Sequence, residues 1–229
     1  MAARRVAESI VRGEAENPLV DWRYGALDPD LLPGVDLLLG PALAELVLRT
    51  ADETKVGIVW AEDSSVLRLA EELGFETATG EILEPGAPVA LSIHYPRILS
   101  PDELARYEAA YNIHPGFLPW GRGFYPYHWA IVAGEPAGAT LHRMTERVDA
   151  GPIVDQARLD DRPDWTAREI VRQIRGLEGS LFRTWWPRLA SGEALPERPQ
   201  PPGGSYHARA DVEAWRDLDD DRARRAFDF

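Results

Sequence analysis

The sequence predicts an α/β fold with a mostly parallel, doubly wound sheet. Short apolar runs alternate with amphipathic segments along the central part of the 229-residue chain, as strands alternate with helices in such folds. Residues 55–60 are rich in the β-branched residues typical of a strand buried on both faces. Pro115 directly follows a further run, so polar residues should lie at the carboxyl end of that strand, where open α/β sheets bind ligands.

The elements follow from apolar periodicity and from residues that begin or end a segment. The predicted strands cover residues 35–39, 55–60, 89–93, 110–113, 138–144 and 153–159. Between them, residues 42–49 form a helix, Ser64 caps a helix that Gly74 ends, and a helix begins at Asp102 after Ser100-Pro101. Residues 125–132 form another helix, and Asp164 or Thr166 caps a long one to about residue 190.

The chain divides into three parts at the level of composition. Residues 1–34 are a segment of uncertain structure, residues 35–195 form one domain, and residues 196–229 form a proline-rich strap with a tail. The strap, residues 196–204, holds four prolines and two glycines and should be extended. The aromatic residues of the tail should dock on the domain or form a homodimer interface.

Composition and charge argue against several classes of function. A net charge of −13 argues against broad nucleic-acid or anionic-membrane binding, which require basic surface. There is no cysteine and no G-x-G-x-x-G, so thiolate metal sites, disulfides and a dinucleotide site are not expected. The lack of cysteine and of a long apolar stretch fits a cytoplasmic protein.

Three polar residues form the strongest pattern. Asn112 and His114 are two apart, so on a strand both point to the same face. Asp149 lies in a turn beside Gly151 and Pro152. These side chains can serve as an oxyanion donor, a general acid/base and an orienting carboxylate in acyl transfer to an amine.

The surrounding residues resemble the folate-dependent formyltransferases. The motifs are YNIHPGFLPWGRG, residues 111–123, and GATLHRMTERVDAGPIV, residues 138–154. Gly116 departs from the family form N-x-H-P-S-x-L-P, which has Ser at that position. The resemblance implies that Asn112, His114 and Asp149 are catalytic and that N10-formyltetrahydrofolate is the formyl donor. No His, Asp or Glu spacing in the sequence resembles a metal-binding motif, so no metal is expected to take part. His142 is expected to make structural hydrogen bonds near the site.

Two further segments resemble the nucleotide-sugar N-formyltransferases. They are Gly204-Ser205-Tyr206-His207 and the loop from Arg122 to Pro126. This resemblance implies an amino-sugar acceptor, linked to a nucleotide, with Arg122, Phe124 and Tyr125 as substrate-binding residues. The family usually opens with a strand within its first few residues, which residues 1–34 do not show.

The resemblance also places the folate site in two loops. The residues expected to bind the donor are Tyr95, Arg97, Ile98, Met144, Val148 and Asp149. Other activities remain open: transfer to another amine such as glycinamide ribonucleotide, hydrolysis of formyltetrahydrofolate, or non-catalytic binding of folate or a nucleotide.

Overall fold

The computed structural model describes residues 35–213 except 42, 52–57, 81, 83–84 and 161–164. The predictions for residues 1–34, for the first half of the strand at 55–60 and for the tail beyond residue 213 fall outside this range.

The described chain contains nine strands and six helices. The strands are β1 Val35–Leu39, β2 Ile58–Trp60, β3 Glu76–Ala78, β4 Val89–Ile93, β5 Ala109–His114, β6 Arg122–Gly123, β7 Gly138–Arg143, β8 Ile153–Arg158 and β9 Tyr206–His207. The helices are α1 Ala44–Ala51, α2 Ser64–Glu72, α3 Pro101–Leu104, α4 Pro126–Val132, α5 Ala167–Ala190 and α6 Arg209–Glu213.

Seven strands form one sheet in the order β3-β2-β1-β4-β5-β7-β8, and β6 pairs with β9 separately. Strands β1, β2, β3 and β4 pair in parallel, whereas β7 and β8 are antiparallel. The order reverses at β1, because the chain winds outward to β3 and then returns to β4 on the other side of β1. The predicted α/β class with a mostly parallel, doubly wound sheet is confirmed.

Contacts divide the chain into two compact units. One comprises residues 1–111 and 182–195, and the other residues 112–181 and 196–229. The described core of the first includes the strand side chains Leu37, Val59 and Leu91, and that of the second includes Leu118, Leu141 and Ile153, all fully or almost fully buried. Asn112, His114 and Asp149 all belong to the second unit.

Helix ends follow local hydrogen bonding, and this corrects one expectation. Asp63, not Ser64, caps α2, because its carboxylate accepts the N–H groups of Ser65 and Val66. A carboxylate reaches two amide donors and also favours the positive end of the helix dipole. Ser100 with Glu103 forms a reciprocal capping box at α3, and Thr166 with Glu169 makes the same exchange at α5.

Strand β3 was not expected from the sequence. Its three residues, Glu76 to Ala78, are exposed or half-buried, so they carry no apolar pattern. Their strand geometry comes from parallel pairing with β2, which makes residues 89–93 the fourth strand rather than the third. No helix of the described residues is long and apolar enough to cross a membrane.

Candidate active site

The carboxyl end of β5 brings the predicted polar residues together. Asn112 and His114 lie on β5, and His142 lies on the neighbouring β7. Asp149 lies in the turn before β8. Its Oδ2 is 3.5 Å from His114 Nδ1, its Oδ1 is 3.4 Å from His142 Nε2, and that nitrogen is 3.4 Å from Asn112 Nδ2. The amide, two imidazoles and the carboxylate therefore form one cluster.

Asp149 is held in an unusual backbone conformation. Its φ of 50° lies in the left-handed region, which costs a non-glycine residue about 1 kcal/mol. Three hydrogen bonds offset that cost: the Gly123 N–H donates to Oδ2 at 2.9 Å, and the Gln200 amide donates to the carbonyls of Asp149 and Gly151 at 2.8 Å each. The surrounding structure thus fixes both the main chain and the carboxylate of Asp149.

Asp149 is a carboxylate near neutral pH. Burial alone would raise its pKa, since its side chain is only 11% exposed. The neighbouring imidazoles of His114 and His142 and the Gly123 N–H outweigh burial and hold the pKa of Asp149 below its usual value of 3.8. A fixed negative charge therefore faces both histidine rings.

His114 is buried and neutral at pH 7. Burial is the largest effect and lowers the pKa of His114 below 6.5, despite the opposing attraction of Asp149. The Gly121 carbonyl lies 2.9 Å from Nε2, and because a carbonyl only accepts, Nε2 carries the proton. Nδ1 then has the lone pair and faces Asp149, so a proton taken up there is stabilised by the carboxylate.

His142 orients Asn112. Its Nδ1 lies 2.9 Å from the Arg143 carbonyl and must donate to it. In the neutral ring Nε2 therefore accepts, and it accepts one hydrogen of the Asn112 amide. The second amide hydrogen of Asn112 is left for another acceptor. The contact from Nε2 to Asp149 becomes a hydrogen bond only when the His142 ring is protonated.

Gly116 gives the His114 ring its space. A Cβ at this position would lie 2.6 Å from His114 Nε2 and 2.9 Å from its Cδ2. Such distances are far below van der Waals contact, so any side chain here would displace the ring. The departure from the formyltransferase form at Gly116 is thus coupled to the position of a candidate catalytic group.

The residues expected to bind folate lie in two segments. Tyr95, Arg97 and Ile98 belong to the first unit, and Met144, Val148 and Asp149 to the second. The Arg97 guanidinium binds both oxygens of Glu103 at 2.8 and 3.0 Å and the Gly80 carbonyl at 2.8 Å, so this side chain braces its own loop. Ile98 is 55% exposed, while Met144 and Val148 are half-buried.

The residues expected to bind the amine substrate lie in β6 and directly after it. Arg122 Nε donates to the Ser205 carbonyl at 3.0 Å, and Phe124 lies under the guanidinium of Arg209, 5.4 Å from its ring centre. Tyr125 precedes α4 with a left-handed φ of 57°. Trp129 in α4 is buried.

Sequence reasoning missed several residues that support the cluster. His142 was expected near the site, but its central place between Asn112 and Asp149 depends on the pairing of strands. Gln200 and Ser205 bond to the site loops from positions many residues away, and Glu135 bonds to Ser205. Of these three residues only Ser205 lies in a segment that the sequence motifs marked. Among the described residues, no group of three His, Asp or Glu side chains is placed to hold a metal ion.

Comparison with known proteins places this chain in a family. A family model described as formyl transferase matches residues 46–184, more than half of the chain. A curated relative, methionyl-tRNA formyltransferase of Sorangium cellulosum, is 38% identical over 125 residues, which are 54% of this chain and 40% of that protein. The chain thus spans less than half the length of this relative.

Solved structures show the same fold. The formyltransferase PseJ of Anoxybacillus kamchatkensis, solved with UDP-4,6-dideoxy-4-formamido-L-AltNAc and tetrahydrofolate, is 27% identical with a TM-score of 0.60, covering 74% of this chain and 94% of that one. A 4-N formyltransferase of Francisella tularensis is 18% identical with a TM-score of 0.71, covering 85% and 86%. With the family match, the shared fold and the cluster on β5, the chain belongs to the formyl transferase family.

Proposed function

We propose that this protein transfers a formyl group from N10-formyltetrahydrofolate to the primary amine of a nucleotide-linked amino sugar. The cluster of Asn112, His114 and Asp149 carries the chemistry, because it supplies the donor and proton carriers that such a transfer needs. The acceptor class is supported by the likeness to PseJ, whose structure holds a formamido sugar nucleotide and tetrahydrofolate.

The reaction forms a bond from the amine nitrogen to the formyl carbon and breaks the bond from that carbon to N10 of the folate. The amine attacks while neutral, which gives a tetrahedral intermediate with a negative oxygen and a positive nitrogen. The second amide hydrogen of Asn112 can bind that oxygen, since the first is held by His142. One such donor is typically worth about 3 kcal/mol of activation barrier.

One proton must move from the attacking nitrogen to the departing one. His114 Nδ1 is the basic ring nitrogen, and Asp149 stabilises the charge that appears when Nδ1 is protonated. The same ring, or a water bound to Asp149, can then return the proton to N10 as the tetrahedral intermediate collapses. The protein is restored and no net proton is released by these groups.

The net negative charge of the chain favours a small-molecule acceptor rather than tRNA. The Sorangium relative is named for methionyl-tRNA, a polyanion. The net charge of this chain is −13, and electrostatic association with a nucleic acid requires a basic surface. A nucleotide-linked sugar carries few charges, and a single guanidinium such as that of Arg122 can pair with a phosphate.

A panel of acceptors tests the proposal. Purified protein is given N10-formyltetrahydrofolate with UDP- and dTDP-linked amino sugars, glycinamide ribonucleotide or methionyl-tRNA, and tetrahydrofolate release is followed. We expect turnover with an amino-sugar nucleotide, with a formamide product detected by mass spectrometry.

The other outcomes each exclude a part of the proposal. Turnover only with glycinamide ribonucleotide or methionyl-tRNA would overturn the acceptor class. Equal release without any amine would identify a hydrolase. Folate binding without turnover on any acceptor would identify a binding protein.

A further inference from the structure

Two segments of the second unit form hydrogen bonds with the loops around the candidate catalytic groups and hold them in place. One is the strap, residues 196–204, and the other is Ser205 with strand β9. The strap pairs with the start of β8 through Arg198 and Ile153, whose N–H and carbonyl groups exchange two hydrogen bonds of 2.8 and 2.9 Å. This pairing fixes the strap beside the turn that carries Asp149.

Gln200 holds the main chain of that turn. Its side-chain nitrogen donates to the carbonyls of Asp149 and Gly151, at 2.8 Å each. These two bonds support the left-handed conformation of Asp149, beside the local turn bond from the Ala150 N–H to the Arg147 carbonyl. Gln200 therefore fixes the backbone from which the Asp149 side chain extends.

Ser205 and β9 hold the loop between β5 and α4. The Gly121 N–H donates to Ser205 Oγ at 2.8 Å, and the Phe124 N–H donates to the His207 carbonyl at 2.9 Å. This loop supplies two groups to the cluster: the Gly121 carbonyl binds His114 Nε2, and the Gly123 N–H binds Asp149 Oδ2. Fixing the loop thus fixes the partners of both His114 and Asp149.

Glu135 holds Ser205 and His207 in place. Its carboxylate accepts the Ser205 hydroxyl at 2.8 Å and lies 3.0 Å from His207 Nε2. The side chains of Glu135 and His207 are only 9% and 15% exposed, and the His207 ring stacks on Trp129 at 3.8 Å and 11°. A buried, hydrogen-bonded and stacked contact restricts motion more than an exposed ion pair does.

We infer that Gln200, Ser205 and His207 are positioning residues for Asp149 and His114. They touch no reacting atom and act through backbone groups: the Asp149 carbonyl, the Gly123 N–H and the Gly121 carbonyl. The inference rests on the proposed roles of Asp149 and His114. It assigns these three residues a part in the reaction beyond that of a connecting segment.

The test compares four variants of the full chain. Gln200→Ala removes both donors, and Gln200→Glu keeps the length while losing the amide hydrogens. His207→Phe keeps a ring against Trp129 and loses the contact with Glu135. The matched control is Glu197→Ala on the same strap, whose carboxylate pairs with Arg143 at 3.2 Å near the surface.

We expect kcat to fall about tenfold or more in the first three variants, with KM values changed less than about threefold, because misplaced groups lose rate more than binding. Glu197→Ala should match the parent. In nitrogen-15 spectra of the five histidines, the His114 imidazole signals, assigned by their loss in His114→Gln, should shift in the first three variants and not in the control.

The spectra keep this inference separate from the proposed function. If the parent turns over no acceptor, the proposed function is refuted. The His114 signals still show whether Gln200 and His207 position the His114 ring. If Gln200→Ala and His207→Phe keep kcat within about twofold of the parent and leave the His114 signals unchanged, Gln200 and His207 are not positioning residues. If Gln200→Ala does not fold, His207→Phe alone decides between these results.

Discussion

Gly116→Ala is expected to damage the reaction by pushing on the His114 ring. The new methyl would lie 2.6 Å from Nε2, and to restore an ordinary contact of 3.4 Å the ring must move by about 0.8 Å. On its other side the new Cβ would lie 3.2 Å from the Cβ of Pro126, so it has little room to retreat. His114 is 4% exposed and close-packed, so most of the movement must break its own contacts.

The size of the effect follows from those contacts. The shift would disturb the 2.9 Å bond to the Gly121 carbonyl and change the 3.5 Å separation from Asp149. Loss of one buried hydrogen bond costs about 1–3 kcal/mol of stability, and misplacing a catalytic group by about 1 Å can cost about a hundredfold in rate. We therefore expect kcat to fall by about tenfold to a hundredfold, with KM changed less than about threefold.

The assay combines tetrahydrofolate release with urea unfolding. The matched control is Gly176→Ala in α5, where an added Cβ meets nothing within 4 Å. That substitution should leave kcat unchanged and leave stability equal or raised by up to about 1 kcal/mol, since alanine favours a helix more than glycine does. A Gly116→Ala protein with the parent's kcat and unfolding free energy would refute the account of the His114 ring.

Four further results are expected. Asn112→Ala should lower kcat by about 10²- to 10³-fold with an unchanged melting temperature, because the half-buried amide lies at the site and contributes little to the core; turnover above a tenth of the parent's would remove Asn112 from the mechanism. Because burial lowers the pKa of His114, the neutral ring should persist to below pH 6.5, and kcat should decline only as pH falls further; a pH profile with its acid limb above pH 7 would contradict this. The lowered pKa values of His114 and Asp149 also predict that the free energy of unfolding falls as the pH falls. The His114 contribution to this decline begins as the pH drops below about 6.5, and the Asp149 contribution begins below about 3.8. Arg97→Ala should release the loop that Arg97 braces through Glu103 and raise the KM for the formyl donor several-fold while kcat changes less; an unchanged donor KM would argue that residues 95–99 have no part in the folate site.

The sequence predicted most of the elements because their signals are local. Apolar runs located β1, β4, β5, β7 and β8 to within one or two residues. Where the local signal was weak or shared, the prediction failed: β3 has no apolar pattern, and Asp63 and Ser64 were both suitable caps for α2. In each case a hydrogen bond decided the outcome, to β2 for the strand and to Ser65 for the cap.

By itself, the sequence determined the α/β class and placed Asn112 and His114 on one face at a strand's carboxyl end, whereas the choice of Asn112, His114 and Asp149 as catalytic came from the resemblance to the formyltransferases. Side-chain direction alternates along a strand and turn residues mark its end, so the residues at a strand's carboxyl end can be read from the chain.

Only the tertiary structure decided how these residues are held. His142 lies between Asn112 and Asp149 because β7 is the neighbour of β5 in the sheet. The position of Gly116 in the sequence does not show that its missing side chain leaves space for the His114 ring. Gln200 bonds to a carbonyl 51 residues earlier, and His207 to a carboxylate 72 residues earlier. Such bonds depend on strand register and on the path of the strap, which only the packing of the whole unit fixes.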